Sequence, residues 1–168
     1  IENVQSGVEA FKKSGADCIV AIGGGSSMDT AKAVGIIITN PEFADVRSLE
    51  GVAPTKNPCV PIIAVPTTAG TGSETTLAAV VTDTATHEKN AINDPRLRPK
   101  YAVLDPELTI GLPPHITSTT GMDALTHAIE SFITPGAWTM SDMFEAKAIE
   151  LVGAPKSFEE VAKVAKAV

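Results

Sequence analysis

The chain has 168 residues, with 20 acidic against 13 basic side chains, a formal net charge of -7 and two cysteines. That length is enough for a real core, and the acidic balance argues against nucleic acid or an anionic membrane as the main partner. No apolar run reaches the roughly 20 residues of a membrane helix, and the first residues, IENVQSGVEAFKKSGAD, carry no signal-peptide pattern; the expectation is a soluble, cytoplasmic protein.

Val4, Val8 and Phe11 recur at helical spacing and predict a first helix. DCIVAIGGG follows as a wholly apolar run, the kind buried on both faces of a parallel sheet. A helix from about Ser27 to Ile38, the loop NPEFADVRSLEGVAPTKNP and a second buried strand, CVPIIAVP, come next. Cys18 and Cys59 each fall in one of these predicted buried strands, which fits a reduced protein better than a disulfide scaffold. Helix, strand, helix, strand indicates a doubly wound α/β sheet. Near DPELTIGLPPHITSTTG the texture changes, and MDALTHAIESFI and SDMFEAKAIELV read as helices. A boundary between an α/β part and a helical part is expected near Gly111 to Pro114.

Three stretches carry chemistry. A strand ending in Gly23, Gly24, Gly25 and Ser26 lets backbone approach a ligand and aims the N–H groups of the next helix at an anion, most often phosphate. The dinucleotide fingerprint would need a third glycine where Met28 stands, and no Gly-Lys-Ser/Thr of a Walker loop follows. The plainer alternative is a tight turn and helix cap, with Asp29 adding charge to the first turn. The second strand also ends in hydroxyls and glycines: Thr67, Thr68, Gly70, Thr71, Gly72 and Ser73. Two such loops at the carboxyl edge of a parallel sheet suit a long anionic ligand such as a dinucleotide. In STTGMDALTHAIESF, Asp123 and His127 are four apart and share one helix face, so both can ligate one divalent metal. The alternative is an Asp cap following Thr119 or Thr120, beside a histidine with a local partner.

AIGGGSSMDTAKAVG, PIIAVPTTAGTGSE and TTGMDALTHAIESF, in this order and spacing, resemble the iron-containing (group III) alcohol dehydrogenases over Ile1 to about Val152. The resemblance implies a dehydroquinate-synthase-like fold: a partial Rossmann-like α/β domain over 1–111, then the start of an all-helical metal-binding domain over 112–168. It implies NAD, held by Gly24, Gly25, Ser26 and Asp29 and by Thr67, Thr68 and Thr71, with Lys89 near the nicotinamide ribose. Without the resemblance Lys89 reads as a solvated turn residue. It implies Fe(II), with Zn(II) as the alternative, on Asp123 and His127 as two of four ligands, a small alcohol or aldehyde substrate, and a homodimer. The family's other two ligands are histidines downstream, where this chain has none; His87 and His115 lie upstream, and His115 is expected in an exposed turn. The tail GAPKSFEEVAKVAKAV departs from the family pattern and reads as a short amphipathic helix with a basic face.

Overall fold

The computed structural model describes residues 1–52 and 54–153; the expected tail helix lies outside the described residues beyond Gly153. These residues fall into two compact units, one of Ile1–Pro66 with Ser73–Val103, the other of Thr67–Gly72 with the chain from Leu104 onward. The division at Val103 precedes the expected Gly111–Pro114 boundary, because the Pro106–Thr109 turn goes with the helices that follow it.

In the first unit α1 (Glu2–Ser14) carries Glu2 in its first turn and Lys12 and Lys13 in its last, both matched to the helix dipole. It packs on α2 (Gly25–Thr39). Apolar positions spread around α2 explain its burial: Met28, Ala31 and the whole run Ala33–Ile37 are shielded from solvent. Strands β1 (Ile19–Gly23), β3 (Ile62–Pro66) and β6 (Tyr101–Ala102) form a parallel sheet in the order β1-β3-β6, with Ala21 beside Ala64 and Gly23 beside Pro66. Ala21, Ile62 and Ala64 face α2 and form a small cluster with Met28 and Ala31.

The expectation of a strand buried on both faces is corrected. Val20, Ile22 and Tyr101, on the opposite face of this sheet, are 55%, 63% and 60% exposed. Side chains alternate across a strand, and α2 covers only one face. Both cysteines also lie just outside the strands that were expected to hold them. Cys18 is exposed, and Cys59 is half-buried against the carbonyl of Lys32. Burial pushes the Cys59 thiol up to about 12, so it is no nucleophile.

A second sheet was not foreseen from the sequence. Strands β2 (Gly51–Val52), β4 (Ala78–Thr82) and β5 (Lys89–Asn93) order as β2-β5-β4, with β4 and β5 antiparallel. Ala79, Val81 and Ile92 turn inward to join Ile36, Ile37, Val46, Leu49 and Leu97 in the main core. The long loop after α2 is tied down by the buried Asn40. Its amide nitrogen donates to the carbonyls of Ile36 and Asn57, and its oxygen accepts from the amides of Lys56 and Asn57. In the second unit α3 (Pro114–Ile133) and α4 (Thr139–Gly153) pack together.

Candidate functional site

In the first unit, β1 passes into α2 through Gly23, at φ 144°. A Cβ there would stand 2.4 Å from Ser27 Oγ, so the turn requires glycine. Gly24, in extended conformation, is the N-cap of α2 and offers no capping side chain. The amides of Ser27 and Met28 both donate to the Gly24 carbonyl. The helix therefore starts at Gly25 and Ser26 with no side-chain acceptor over its first N–H groups, the arrangement that receives an anion. Met28, in the place of a third fingerprint glycine, fills space between Ala21, Ala31, Ile62 and Ala64 and is fully buried.

Asp29, expected on the cofactor side of this turn, has both carboxylate oxygens on protein donors. Oδ1 accepts from Ser73 Oγ at 2.6 Å and Oδ2 from the Val80 amide at 3.0 Å. Beside it lies a residue that sequence reasoning missed, Lys32, which is 0% exposed. The only signal in the sequence is a lysine three residues after an aspartate inside an apolar helix. Lys89 is the first residue of β5 and is exposed; it stands in a strand, not in the turn its composition suggested.

In the second unit, Thr67–Gly72 comes close to α3. A Cβ on Gly70 would stand 2.5 Å from the Thr120 carbonyl oxygen, so glycine is what lets this loop lie on the helix. Thr68 Oγ1 is buried without a hydrogen-bond partner. A buried hydroxyl in that state costs about 1–3 kcal/mol unless something supplies a partner. An unpaired hydroxyl in a hydroxyl-rich loop fits a polar ligand.

Asp123 and His127 lie in the interior of α3, not at its start, so the alternative of an Asp cap after Thr119 or Thr120 falls. The hydroxyls of those threonines bond back to the carbonyls of His115 and Ile116. His115 is exposed as expected, but it sits in the first turn of α3, because Pro114 opens the helix there. His127 Nε2 stands 3.6 Å from Asp123 Oδ1, with the two side chains 60% and 44% exposed. Two donors on one tetrahedral ion, each about 2.1 Å from it, stand roughly 3.4 Å apart. The pair fits half of a metal site. Among the described residues no third histidine, cysteine or acid joins it.

The iron-containing alcohol dehydrogenase family model matches residues 1–106, and that of the family's C-terminal part matches residues 117–164. The lactaldehyde reductase of Escherichia coli K12 is 53% identical over 149 residues, which cover 89% of this chain and 39% of that protein. The NAD-dependent methanol dehydrogenase of Bacillus methanolicus is 45% identical, again over 89% of this chain and 39% of that protein. Among solved structures, a 1,3-propanediol oxidoreductase superposes with a TM-score of 0.89 at 38% identity, covering 99% of this chain and 45% of that one. The sulfoacetaldehyde reductase of Bifidobacterium kashiwanohense, in complex with NAD+, superposes at 0.83 with 37% identity, covering 98% and 46%. The chain thus spans less than half the length of each of these relatives, and its fold is the α/β-then-helical architecture of that group. It belongs to the iron-containing alcohol dehydrogenase family.

Proposed function

We propose that the protein acts in NAD-dependent interconversion of a small alcohol and its aldehyde, lactaldehyde and 1,2-propanediol in particular. The observation that carries the cofactor half of this reading is the uncapped turn Gly24–Ser26 at the start of α2, the natural seat of a pyrophosphate. Thr68, with its unpaired buried hydroxyl, supports a second cofactor contact with Thr67 and Thr71 alongside it. Asp29 serves the turn through its protein partners, and Lys89 is taken to approach the nicotinamide ribose on family resemblance. The choice of substrate is supported by the identity to the lactaldehyde reductase.

In this reading the chain's residues bind and orient. The α2 N–H groups neutralise the pyrophosphate, and Asp123 and His127 contribute a carboxylate oxygen and an imidazole nitrogen to one divalent ion, Fe(II) or Zn(II). The ion, when bound, supplies Lewis acidity toward the carbonyl oxygen, and NADH supplies the hydride. A catalytic ion takes at least three protein ligands, so groups beyond the described residues must complete it. A homodimer in the cytoplasm belongs to the same reading and is supported by family resemblance; no helix among the described residues is long and apolar enough to cross a membrane.

The absence of a third donor among the described residues favours one other reading, a nucleotide-binding chain without turnover. Fluorescence titration with NADH, metal analysis after anaerobic Fe(II) loading, and lactaldehyde turnover separate the two. The expected outcome is one NADH per chain in both the wild type and an Asp123→Ala/His127→Ala variant, with stoichiometric metal only in the wild type. A wild type that binds no NADH sinks the cofactor reading, whereas NADH binding without metal or turnover selects the second one.

A further inference from the structure

Lys32 lies in the middle of the apolar helix α2 and is wholly buried. An ammonium group in such a place is costly unless each of its three donors finds an acceptor. Each does: Nζ is 2.9 Å from Ser73 Oγ, 2.9 Å from Thr76 Oγ1 and 2.8 Å from the Ala78 carbonyl. Asp29 Oδ1 stands 3.7 Å away, and Glu74, also buried, adds a second acidic group nearby. Burial lowers the pKa of Lys32, with Asp29 the main opposing influence. The Ser73 hydroxyl that accepts from Lys32 in turn donates to Asp29, whose other oxygen holds the Val80 amide. One face of α2 thereby grips the chain at Ser73, Thr76, Ala78 and Val80.

Those residues follow directly on Thr67–Gly72, the second expected cofactor loop, which leaves the first unit after Pro66 and re-enters it at Ser73. Four residues before Asp29, α2 begins at the Gly24–Ser26 turn. We propose that Lys32 is a positioning residue for cofactor binding: through Ser73, Thr76 and Asp29 it fastens the Ser73–Val80 segment to α2, the helix that starts at the proposed phosphate-binding turn, and so holds that turn in place. The inference rests on reading the Gly24–Ser26 turn as an NAD(H) contact. Lys32 spends its three donors on protein acceptors, so it acts on the cofactor through its neighbours. No neutral side chain of that length reaches three acceptors in three directions from one atom.

The test is Lys32→Met, which keeps the length and the apolar stem. NADH affinity is read by fluorescence at a temperature where circular dichroism shows full folding, and amide exchange across residues 73–80 is followed without ligand. Hydrogen bonds to charged groups of this kind correspond to about a 10- to 100-fold loss of NADH affinity. Faster exchange confined to that segment is expected alongside it. Val46→Ala, a truncation in the main core of the same unit, is expected to keep wild-type affinity. Should Lys32→Met not fold, Ser73→Ala carries the same test with a several-fold loss expected. Unchanged affinity and exchange in a folded Lys32→Met overturns the inference alone. So does an equal loss of affinity in Val46→Ala, since Lys32 would then matter only for stability. A wild type that binds no NADH overturns the cofactor reading, and this inference with it.

Discussion

In the first unit the Gly24–Ser26 turn, the proposed phosphate seat, stands on a helix with Met28, Ala31 and Ala33 to Ile37 buried, and a charged network ties that helix to β4. In the second unit Asp123 and His127, the proposed metal pair, stand on α3, which buries Ala124 and Ala128 and packs with α4, where Ala148 is buried. Larger side chains of α3 and α4 are at best half-buried, as Leu125 and Ile149 are, and Ile133, Met143 and Phe144 are 71%, 67% and 66% exposed. The difference bears on how well each site is held. A turn rooted in close-packed residues is fixed within a fraction of an ångström by its own unit. A pair of helices whose fully buried residues are alanines gains less from burial, and its exposed apolar residues form the kind of surface that another element or chain covers. The Gly24–Ser26 turn is therefore self-supporting, and Asp123 and His127, on the proposed reading half of a metal site, stand on a scaffold with fewer large buried side chains.

The most severe way to break this contrast is Met28→Ala. Emptying a fully buried site among Ala21, Ala31, Ile62 and Ala64 costs about 2–5 kcal/mol, read as a lower urea midpoint with an unchanged slope. Met143→Ser, on the exposed side of α4, is expected to stay within about 0.5 kcal/mol and to raise the concentration at which the protein aggregates. Equal effects from both would refute the contrast. A smaller effect on stability, with a larger one on binding, is expected from Gly23→Ala. Its φ of 144° and the Cβ contact at 2.4 Å from Ser27 Oγ cost about 1–3 kcal/mol of strain. Relief of that strain would turn the N–H groups of Gly25 and Ser26 away from their common target, so NADH affinity should fall at least tenfold while Asp123 and His127 keep their spacing.

Elements built from continuous apolar runs or helical spacing were legible in the sequence: α1, β1, α2, β3 and both helices of the second unit. The second, mixed sheet was not. Both strands Ala78–Thr82 and Lys89–Asn93 have five residues, and Lys89–Asn93 carries lysine and two asparagines, so its strand character comes from pairing with Ala78–Thr82 and from Ile92 reaching the main core beside Val81. The glycine turn was legible because a backbone requirement leaves a mark on residue type. Lys32 was not, because a lysine on a helix ordinarily faces water. Its partners Ser73 and Ala78 lie 41 and 46 residues further on, beyond any local pattern. The Asp123–His127 spacing was visible, but only the length of α3 shows that Asp123 is no cap.

A milder effect sharpens the same contrast by acidity. Asp83, just past the end of β4, is buried and takes the guanidinium of Arg47, with Nε at 3.0 Å and Nη2 at 2.5 Å from Oδ2. The Ala85 amide donates to its other oxygen. Arg47, and after it that amide, holds the Asp83 carboxyl below the usual carboxylate range. A group whose pKa is lowered by folding stabilises the native state above its unfolded value, and that stabilisation is lost as pH falls through the folded value. The window therefore opens below about pH 4. Asp83→Asn should lower the urea midpoint at pH 7, and its difference from wild type should shrink as both are taken toward pH 3. Arg47 is half-exposed, so added salt should narrow the difference at pH 7 as well. A gap between the two proteins that ignores both pH and salt would mean that Asp83 acts through shape. The tie between the 3-10 turn Val46–Leu49 and the end of β4 would then be one of packing, and the first unit would owe its rigidity to its core alone.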